Sequence, residues 1–286
     1  MKKIIKNILY PTILFLLKFD FFKKISNSFV NIYFINKGYC FDWSYLVSKS
    51  SNDLFKGENI LLSKFDYLKI KNCIDIGCNI GSFSKEILKN KATKVIAFEP
   101  LHGCQESLKE IQKHYDKRFI YYDCALSNRD GFDYINFGDN KSALASLEKS
   151  INDIDYVGRS NKNTSMIELK KLDNFINFDN FRNIDFIKID TEGHEYKVLR
   201  GGLEFIKKNN VKMIQLEFNW HHLFTNNTIY QFSKVLDNYV LTQLNLINGK
   251  LMQINKNHFF SNIFQLSNFV FVEKKFFTEN KVILSK

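Results

Sequence analysis

The stretch CIDIGCNIGSF, residues 73–83, determines how we interpret this chain. An apolar strand, predicted at 72–76, contains one acidic residue and runs into a turn that carries Gly77 and Gly81. A helix is predicted to begin near Ser82. Glycine tolerates a sharp turn and a tight entry into a helix. Ligands of open α/β sheets bind outside the carboxyl ends of the strands, so this turn is the first candidate for a ligand site.

The turn does not have the pattern of a dinucleotide site. That pattern is G-x-G-x-x-G, whose middle glycine lets the pyrophosphate approach the backbone. Here the middle position is Asn79 and the third is Ser82. The pattern therefore fails for NAD at the place where the diphosphate would lie.

Strands and helices are predicted to alternate along the rest of the chain. The apolar strands are nearly continuous, which is typical of a parallel sheet covered on both faces, and the alternation predicts a Rossmann-like, doubly wound α/β domain. Strands are predicted at 72–76, 94–98, 119–123, 185–189 and 211–218, and helices at 82–90, 102–115 and 195–208. A helix after Ile229 leads into two more apolar runs, 239–247 and 268–274, the second of which is expected to end the sheet. The segment 138–164, rich in Asn, Ser and Asp, is expected to be a mobile loop.

We divide the chain into a helical N-terminal extension, residues 1–66, and an α/β domain, residues 67–286. The net charge is +11, but lysines are scattered rather than clustered, so no nucleic-acid partner is predicted. Five cysteines without a C-x-x-C pair indicate reduced, buried thiols in a cytoplasmic protein.

The N-terminal segment MKKIIKNILYPTILFLLKFDFFKKI is basic and apolar. Its apolar run, 8–17, is too short to span a bilayer, and no cleavage site of small residues follows. Two alternatives remain open: packing on the domain or on a second subunit of a homodimer, or weak peripheral contact of residues 1–24 with the inner face of the membrane. A flotation assay with and without residues 1–24 distinguishes them.

The pattern D-x-G-x-N-x-G resembles motif I of class I S-adenosylmethionine-dependent methyltransferases. The resemblance implies that the turn binds the amino-acid end of the cofactor and that Glu99, at the end of KVIAFEP, binds both ribose hydroxyls. It also implies that the end of the third strand, YYDCALSN, lies beside the adenine. The implied cofactor-binding residues are Asp75, Gly77, Asn79, Gly81, Phe83, Glu99, Pro100, Asp123, Ala125 and Leu126.

A second signature resembles the FkbM family of methyltransferases. It comprises IDFIKIDTEGHEYKVLRGGLEFI, residues 184–206, and IQLEFNWHH, residues 214–222, together with FEP after the second strand. The resemblance covers about 72–220 and implies O-methylation of a hydroxyl in a sugar, glycan or related metabolite, in surface polysaccharide biosynthesis. The alternative is a methyltransferase-fold scaffold or membrane-associated binding protein without catalysis, and the intact motif residues weigh against it.

An alcohol acceptor must lose its proton during methyl transfer, so a general base is expected. Asp190 is the first candidate, and Glu192 and His221 are the others. His221 and His222 either line the acceptor pocket or lie exposed in a loop. Asp190, Glu192, His194 and Glu195 have the oxygen and nitrogen atoms to bind a divalent metal, but their spacing does not demand one, and no metal is predicted.

Overall fold

The computed structural model describes residues 56–177, 182–245, 248–264 and 266–285. The predictions for the N-terminal segment, residues 1–24, and for Cys40 lie outside the described residues. The other four cysteines, Cys73, Cys78, Cys104 and Cys124, are buried and free of disulfides, as predicted. Among the described residues, no helix is long and apolar enough to cross a membrane.

Eleven strands occur within the described ranges. They are β1 (Asn72–Ile76), β2 (Lys94–Phe98), β3 (Phe119–Tyr122), β4 (Ala125–Leu126), β5 (Gly131–Phe137), β6 (Asn163–Lys170), β7 (Phe186–Ile189), β8 (Met213–Phe218), β9 (Tyr239–Leu244), β10 (Leu251–Gln253) and β11 (Ser267–Glu273). Eight of them form the central sheet in the order β10-β9-β11-β8-β7-β1-β2-β3, and a smaller sheet has the order β4-β6-β5.

Pairing is parallel from β3 through β2, β1 and β7 to β8. The strand β11 is antiparallel to β8 and β9, and β10 is antiparallel to β9. The predicted α/β fold with a mostly parallel sheet is confirmed. The strand β11 is the last along the chain, but it lies inside the sheet rather than at an edge.

Ten α-helices cover the sheet within the same ranges. They are α1 (Lys56–Ser63), α2 (Phe65–Leu68), α3 (Ser82–Leu88), α4 (Gln105–Tyr115), α5 (Asp155–Ser160), α6 (Glu195–Arg200), α7 (Leu203–Asn209), α8 (His221–Phe224), α9 (Ile229–Val235) and α10 (Lys274–Leu284). The helix predicted at 195–208 is two helices. The break falls at Gly201 and Gly202, where a Cβ on Gly201 would lie 1.9 Å from the backbone oxygen of Ser127.

The core has two halves, one on each face of the central sheet. On one face, side chains of α1, α2, α3, α4 and α10 pack together, with Leu61 and Phe65 fully buried. On the other face, α6, α7 and α9 pack around Phe205 and Phe232. Each such side chain contributes about 1.5–3 kcal/mol by its burial. Burial on both faces explains why the strands are nearly continuously apolar.

The boundary predicted between residues 66 and 67 falls within α2, whose Phe65 and Leu68 both lie in the core. It stays a prediction, because the structure describes nothing of residues 1–55. The segment 138–164, predicted to be a mobile loop, contains a 3₁₀ turn (Lys149–Asp153), α5 and the start of β6.

Candidate functional site

A cavity of about 670 Å³ opens at the carboxyl ends of β1, β2, β7 and β8. This is the edge at which open α/β sheets bind ligands. The lining comes from the turn after β1, the end of β2, the strand β4, a stretch between β5 and α5, and the residues that follow β7 and β8. These residues are Ile76, Gly77, Asn79, Phe98, Glu99, Pro100, Leu101, Cys124, Ala125, Leu126, Ile135, Ser142, Ala143, Leu144, Ala145, Ser146, Leu147, Tyr156, Asp190, Thr191, Glu192, His194, Glu217, Asn219, Trp220, His221 and Leu266.

The turn after β1 requires left-handed backbone at three alternate positions. Gly77, Asn79 and Gly81 have φ of 78°, 49° and 77°. Gly77 also packs against the end of β7, since a Cβ there would lie 1.9 Å from the backbone oxygen of Asp190. Gly81 packs against α4, where a Cβ would lie 2.3 Å from Cδ1 of Ile111. The glycines therefore set how closely the turn approaches its neighbours.

Glu99 joins this turn to the end of β2. Its Oε2 accepts a hydrogen bond from the backbone N–H of Asn79 at 2.9 Å, and its Oε1 accepts one from Leu101 at 2.8 Å. Burial raises the pKa of Glu99 to about 7, and the two backbone hydrogen bonds act in the opposite direction. A carboxylate can accept about four hydrogen bonds, so Glu99 retains acceptor capacity at the cavity wall.

The predicted cofactor residues fall into two groups. Six line the cavity: Gly77, Asn79, Glu99, Pro100, Ala125 and Leu126. Four do not: Asp75, Gly81, Phe83 and Asp123. Asp75 is buried behind the turn, where its Oδ2 accepts a hydrogen bond from Ser84 at 2.6 Å. Phe83 stacks on Phe186 in the core.

Asp123 accepts a hydrogen bond from Gln105 and lines a smaller adjoining pocket of about 300 Å³. Cofactor contacts by all ten residues stay predictions.

Three carboxylates meet at the other end of the cavity. Asp190 and Glu192 follow β7, Glu217 is on the neighbouring β8, and each offers an oxygen atom within 4.8 Å of the others. Burial raises the pKa of both Glu192 and Glu217, and the nearby Asp190 raises them further. Lys188 Nζ lies 2.8 Å from Asp190 Oδ2 and compensates part of the negative charge. This acidic end therefore favours a proton or a cationic group.

The trio has the oxygen atoms for a divalent cation, but Asp190 is already paired with Lys188 and Glu192 with His221. We assign no metal. The other two residues considered as metal ligands have different partners. His194 lies 2.6 Å from Glu148 Oε1 and 3.0 Å from Ser127 Oγ, and Glu195 lies 3.0 Å from His222.

His221 and His222 are buried, each 1% exposed, so the expectation of exposed loop histidines is wrong. Both begin α8, which follows β8 directly. His221 Nδ1 lies 2.7 Å from Glu192 Oε2, whereas His222 stacks on Phe218 and does not line the cavity. Burial lowers the pKa of His221, although Glu195 and Asp190 act to raise it. A neutral imidazole at neutral pH is able to accept a proton.

A cover segment, residues 142–147, closes one side of the cavity. Asn79 Nδ2 donates to the backbone oxygen of Ser142 at 3.2 Å, and Ser146 Oγ donates to that of Glu192 at 2.7 Å. Asn161 Nδ2 donates to the backbone oxygen of Leu144 at 2.7 Å. The cover segment is thus attached to the turn after β1 and to the residues that follow β7.

The sequence profile described as "Methyltransferase FkbM domain" matches residues 75–245. The chain belongs to the FkbM methyltransferase family. The match includes the turn after β1, Glu99, the acidic end of the cavity and His221. The protein is therefore a methyltransferase of the S-adenosylmethionine-dependent class, as the sequence predicted.

The chain is also similar to solved structures described as methyltransferases or putative methyltransferases. The methyltransferase domain of bacterial CtHen1-CN is 13% identical, with 77% of this chain and 99% of that chain covered and a TM-score of 0.41. The 1,6-didemethyltoxoflavin-N1-methyltransferase of Burkholderia thailandensis, solved with 1,6-didemethyltoxoflavin and S-adenosylhomocysteine, is 8% identical, with 87% and 89% covered and a TM-score of 0.39.

A third, a putative caffeoyl-CoA O-methyltransferase from Staphylococcus aureus, is 12% identical, with 75% and 81% covered and a TM-score of 0.38. At such identities and scores these likenesses carry no argument about the substrate. Comparison with curated proteins gives no match.

Proposed function

We propose that this protein binds S-adenosylmethionine in the large cavity and transfers its methyl group to a hydroxyl of a sugar or glycan, in surface polysaccharide biosynthesis. The observation that carries the proposal is the composition of one cavity. Glu99 and Asn79 stand at one end, and Asp190, Glu192, Glu217 and His221 stand at the other. Hydrogen-bond acceptors for a nucleoside and groups that accept a proton thus share one site.

The cofactor end suits an adenosyl group bearing a sulfonium. The volume of about 670 Å³ lies within the range of small-molecule sites. Glu99 retains acceptor capacity for ribose hydroxyls, and the apolar wall from Ala125, Leu126 and the cover segment suits a flat base. The carboxylates at the acidic end favour a cationic sulfonium by charge.

Binding of S-adenosylhomocysteine is expected to weaken as the pH falls. Ribose hydroxyls donate to the ionised form of Glu99, whose pKa is about 7. Below that pH, binding must first remove a proton from Glu99, so the affinity should fall roughly tenfold between pH 8 and pH 6. Calorimetric titrations across this range measure the effect.

Glu99→Gln is the matched variant, because it keeps the shape of the side chain but does not titrate. It should bind about 1–3 kcal/mol more weakly than the wild type at pH 8. Its affinity should hardly change between pH 6 and pH 8. If the affinity of this variant depended on pH as steeply as that of the wild type, Glu99 would not be the group that binds the ribose hydroxyls.

The acceptor end combines aromatic rings with hydrogen-bonding groups. Trp220, Tyr156 and His221 lie beside Asn219 and the carboxylates. Tyrosine and tryptophan present an apolar ring face together with a polar tip. That combination suits a sugar ring, which has C–H faces and hydroxyl edges. Positioning the acceptor and the methyl donor in a water-excluding site supplies much of the acceleration in such a displacement.

Methyl transfer should be detectable from methyl-labelled S-adenosylmethionine to a panel of methyl glycosides of neutral, acidic and amino sugars. We expect label in at least one glycoside, and mass spectrometry after methanolysis should place the new methyl on an oxygen. Label on a nitrogen would contradict O-methylation. No label on any glycoside, with S-adenosylhomocysteine still bound, would favour the non-catalytic scaffold.

A further inference from the structure

Tyr156, on α5, lines the cavity beside His221 and Trp220. Its hydroxyl lies 3.1 Å from His221 Nε2, and it accepts a hydrogen bond from Trp220 Nε1 at 2.5 Å. On the opposite side of the imidazole, His221 Nδ1 lies 2.7 Å from Glu192 Oε2. Four side chains from three separate parts of the chain thus form a continuous line along the cavity wall.

The chemistry of these groups fixes the direction of the hydrogen bond between Trp220 and Tyr156, and the tautomer of His221 sets the direction of the next one. The indole N–H of Trp220 is only a donor, so the phenol oxygen of Tyr156 accepts from it. The phenol donates its proton to the other neighbour, Nε2 of His221, when that nitrogen carries no proton. A neutral His221 that accepts at Nε2 carries its own proton at Nδ1, the nitrogen that lies 2.7 Å from Glu192 Oε2. In that tautomer the protons of Tyr156 and His221 both point along the line from Tyr156 toward Glu192.

We infer that Tyr156 relays the proton of the acceptor hydroxyl to His221, which makes Tyr156 a catalytic residue. This inference rests on the proposed function. The phenol oxygen retains a lone pair for the acceptor hydroxyl, because it uses only one to bind Trp220. Direct contact between acceptor and His221 is hindered, since His221 is 1% exposed and Tyr156 covers its Nε2.

The acceptor oxygen forms a bond to the methyl carbon, and the carbon–sulfur bond breaks with its electron pair left on sulfur. The acceptor proton moves to the oxygen of Tyr156 while the proton of Tyr156 moves to Nε2 of His221. The imidazolium is stabilised by Glu192 until it releases a proton to solvent.

The surroundings of the tyrosine require the two proton transfers to occur together. Burial, with smaller contributions from Glu192 and Glu217, raises the pKa of Tyr156 to about 12, although the hydrogen bond from Trp220 acts to lower it. A tyrosinate therefore does not accumulate near neutral pH. On the histidine side, Glu195 and Asp190 act on His221 in addition to its partner Glu192.

The hydrogen-bond direction is testable without any acceptor. Histidine labelled with ¹⁵N in the full-length protein gives signals from six residues, and the spectrum of His221→Gln identifies that of His221. We expect a neutral imidazole protonated at Nδ1. We also expect Tyr156→Phe to shift the Nε2 signal, with no shift in the control Tyr134→Phe, whose side chain is exposed on β5. An imidazole protonated at Nε2 in the wild type would overturn the relay.

Kinetics with a glycoside of the panel that the enzyme accepts as a substrate test the catalytic role of Tyr156. Tyr156→Phe should bind S-adenosylhomocysteine within twofold of the wild type while kcat falls roughly 10²-fold or more. The wild-type rate should level off above the pKa of His221, whereas the rate of Tyr156→Phe should keep rising with pH. Tyr134→Phe should behave as the wild type in both respects.

A Tyr156→Phe enzyme with an unchanged rate and pH profile would overturn the relay. If no glycoside is methylated, the proposed acceptor class fails, and the imidazole spectrum alone then decides whether the relay exists.

Discussion

Gly77→Ala is expected to destabilise the fold by about 4 kcal/mol and to abolish cofactor binding. The position has φ of +78°, and an added Cβ would lie 1.9 Å from the backbone oxygen of Asp190. Backbone strain and overpacking each contribute about 2 kcal/mol. Because β7 cannot recede without losing its pairing to β1, the turn itself must move. Urea unfolding and calorimetry with S-adenosylhomocysteine measure the two effects.

Gly131→Ala is the matched control. Gly131 also has positive φ, at +124°, but the nearest atom to an added Cβ is Arg129 Nη1 at 3.6 Å. This variant should show the cost of backbone strain alone, about 2 kcal/mol, and should leave cofactor binding intact. If the two variants are equally stable, the close contact between Gly77 and the end of β7 does not matter to the fold.

Lys188→Met is expected to destabilise the protein by about 3–5 kcal/mol at pH 8, since it leaves buried carboxylates without their cation. Lys188 pairs with Asp190, is adjacent to Asp75 in the sheet, and has its Nζ 4.5 Å from the centre of the Phe83 ring. Burial acts to lower the pKa of Lys188, but Asp190, Glu58 and Asp75 outweigh it and raise that pKa above its ordinary value. Methionine keeps the apolar stem and removes only the charge.

The destabilisation by Lys188→Met should shrink as the pH falls. Glu192 and Glu217 have raised pKa values in the folded protein, and Lys188 acts to lower them. Without Lys188 those values rise further, so the carboxylates take up protons at a higher pH and the repulsion disappears. A carboxyl group whose pKa is raised by folding stabilises the fold when it is protonated and loses that contribution as the pH rises. The Lys188→Met variant should therefore recover stability as the pH falls.

An exposed ion pair provides the comparison for Lys188→Met. Lys89 lies 2.6 Å from Glu86, and the side chain of Lys89 is 68% exposed. Lys89→Met should cost less than about 1 kcal/mol at any pH, because water screens such pairs. Urea unfolding at pH 8 and pH 5.5 compares the two variants. Equal costs would contradict a buried electrostatic role for Lys188.

The parallel half of the fold was predictable because its signals are local. Apolar runs marked β1, β2, β3, β7 and β8, and the glycines marked the turn after β1. The small sheet of β4, β5 and β6 was missed. Its exposed faces carry Phe132, Tyr134 and Met166, so apolar residues there do not indicate a core. The short strand β10 and the helix α10 were also missed.

The site was predictable where one strand end supplies its residues. Asp190 and Glu192 were named because they follow a predicted strand, and Glu217 belonged to the same site because β8 is the neighbour of β7. That adjacency is seen only in the folded sheet, because apolar runs locate strands along the chain but do not show which strands pair. Glu217 was considered only as part of the family signature.

Residues contributed by distant segments could not be predicted. Tyr156 reaches His221 across 65 positions of the chain, and Ser146 reaches Glu192 across 46. The alternation SALASL, residues 142–147, was the one local signal of the cover segment, and it lay within a polar stretch interpreted as a mobile loop. Long-range contacts of this kind leave no periodic pattern in the sequence.

The most direct test of the account is a calorimetric titration of S-adenosylhomocysteine into the full-length protein at pH 8, where Glu99 is ionised. We predict one site per chain with a Kd on the order of 10 µM, or about −7 kcal/mol. Circular dichroism on the same sample should show that the protein is folded. Absence of binding by folded protein would contradict the assignment of the cavity to S-adenosylmethionine, and with it the proposed methyl transfer.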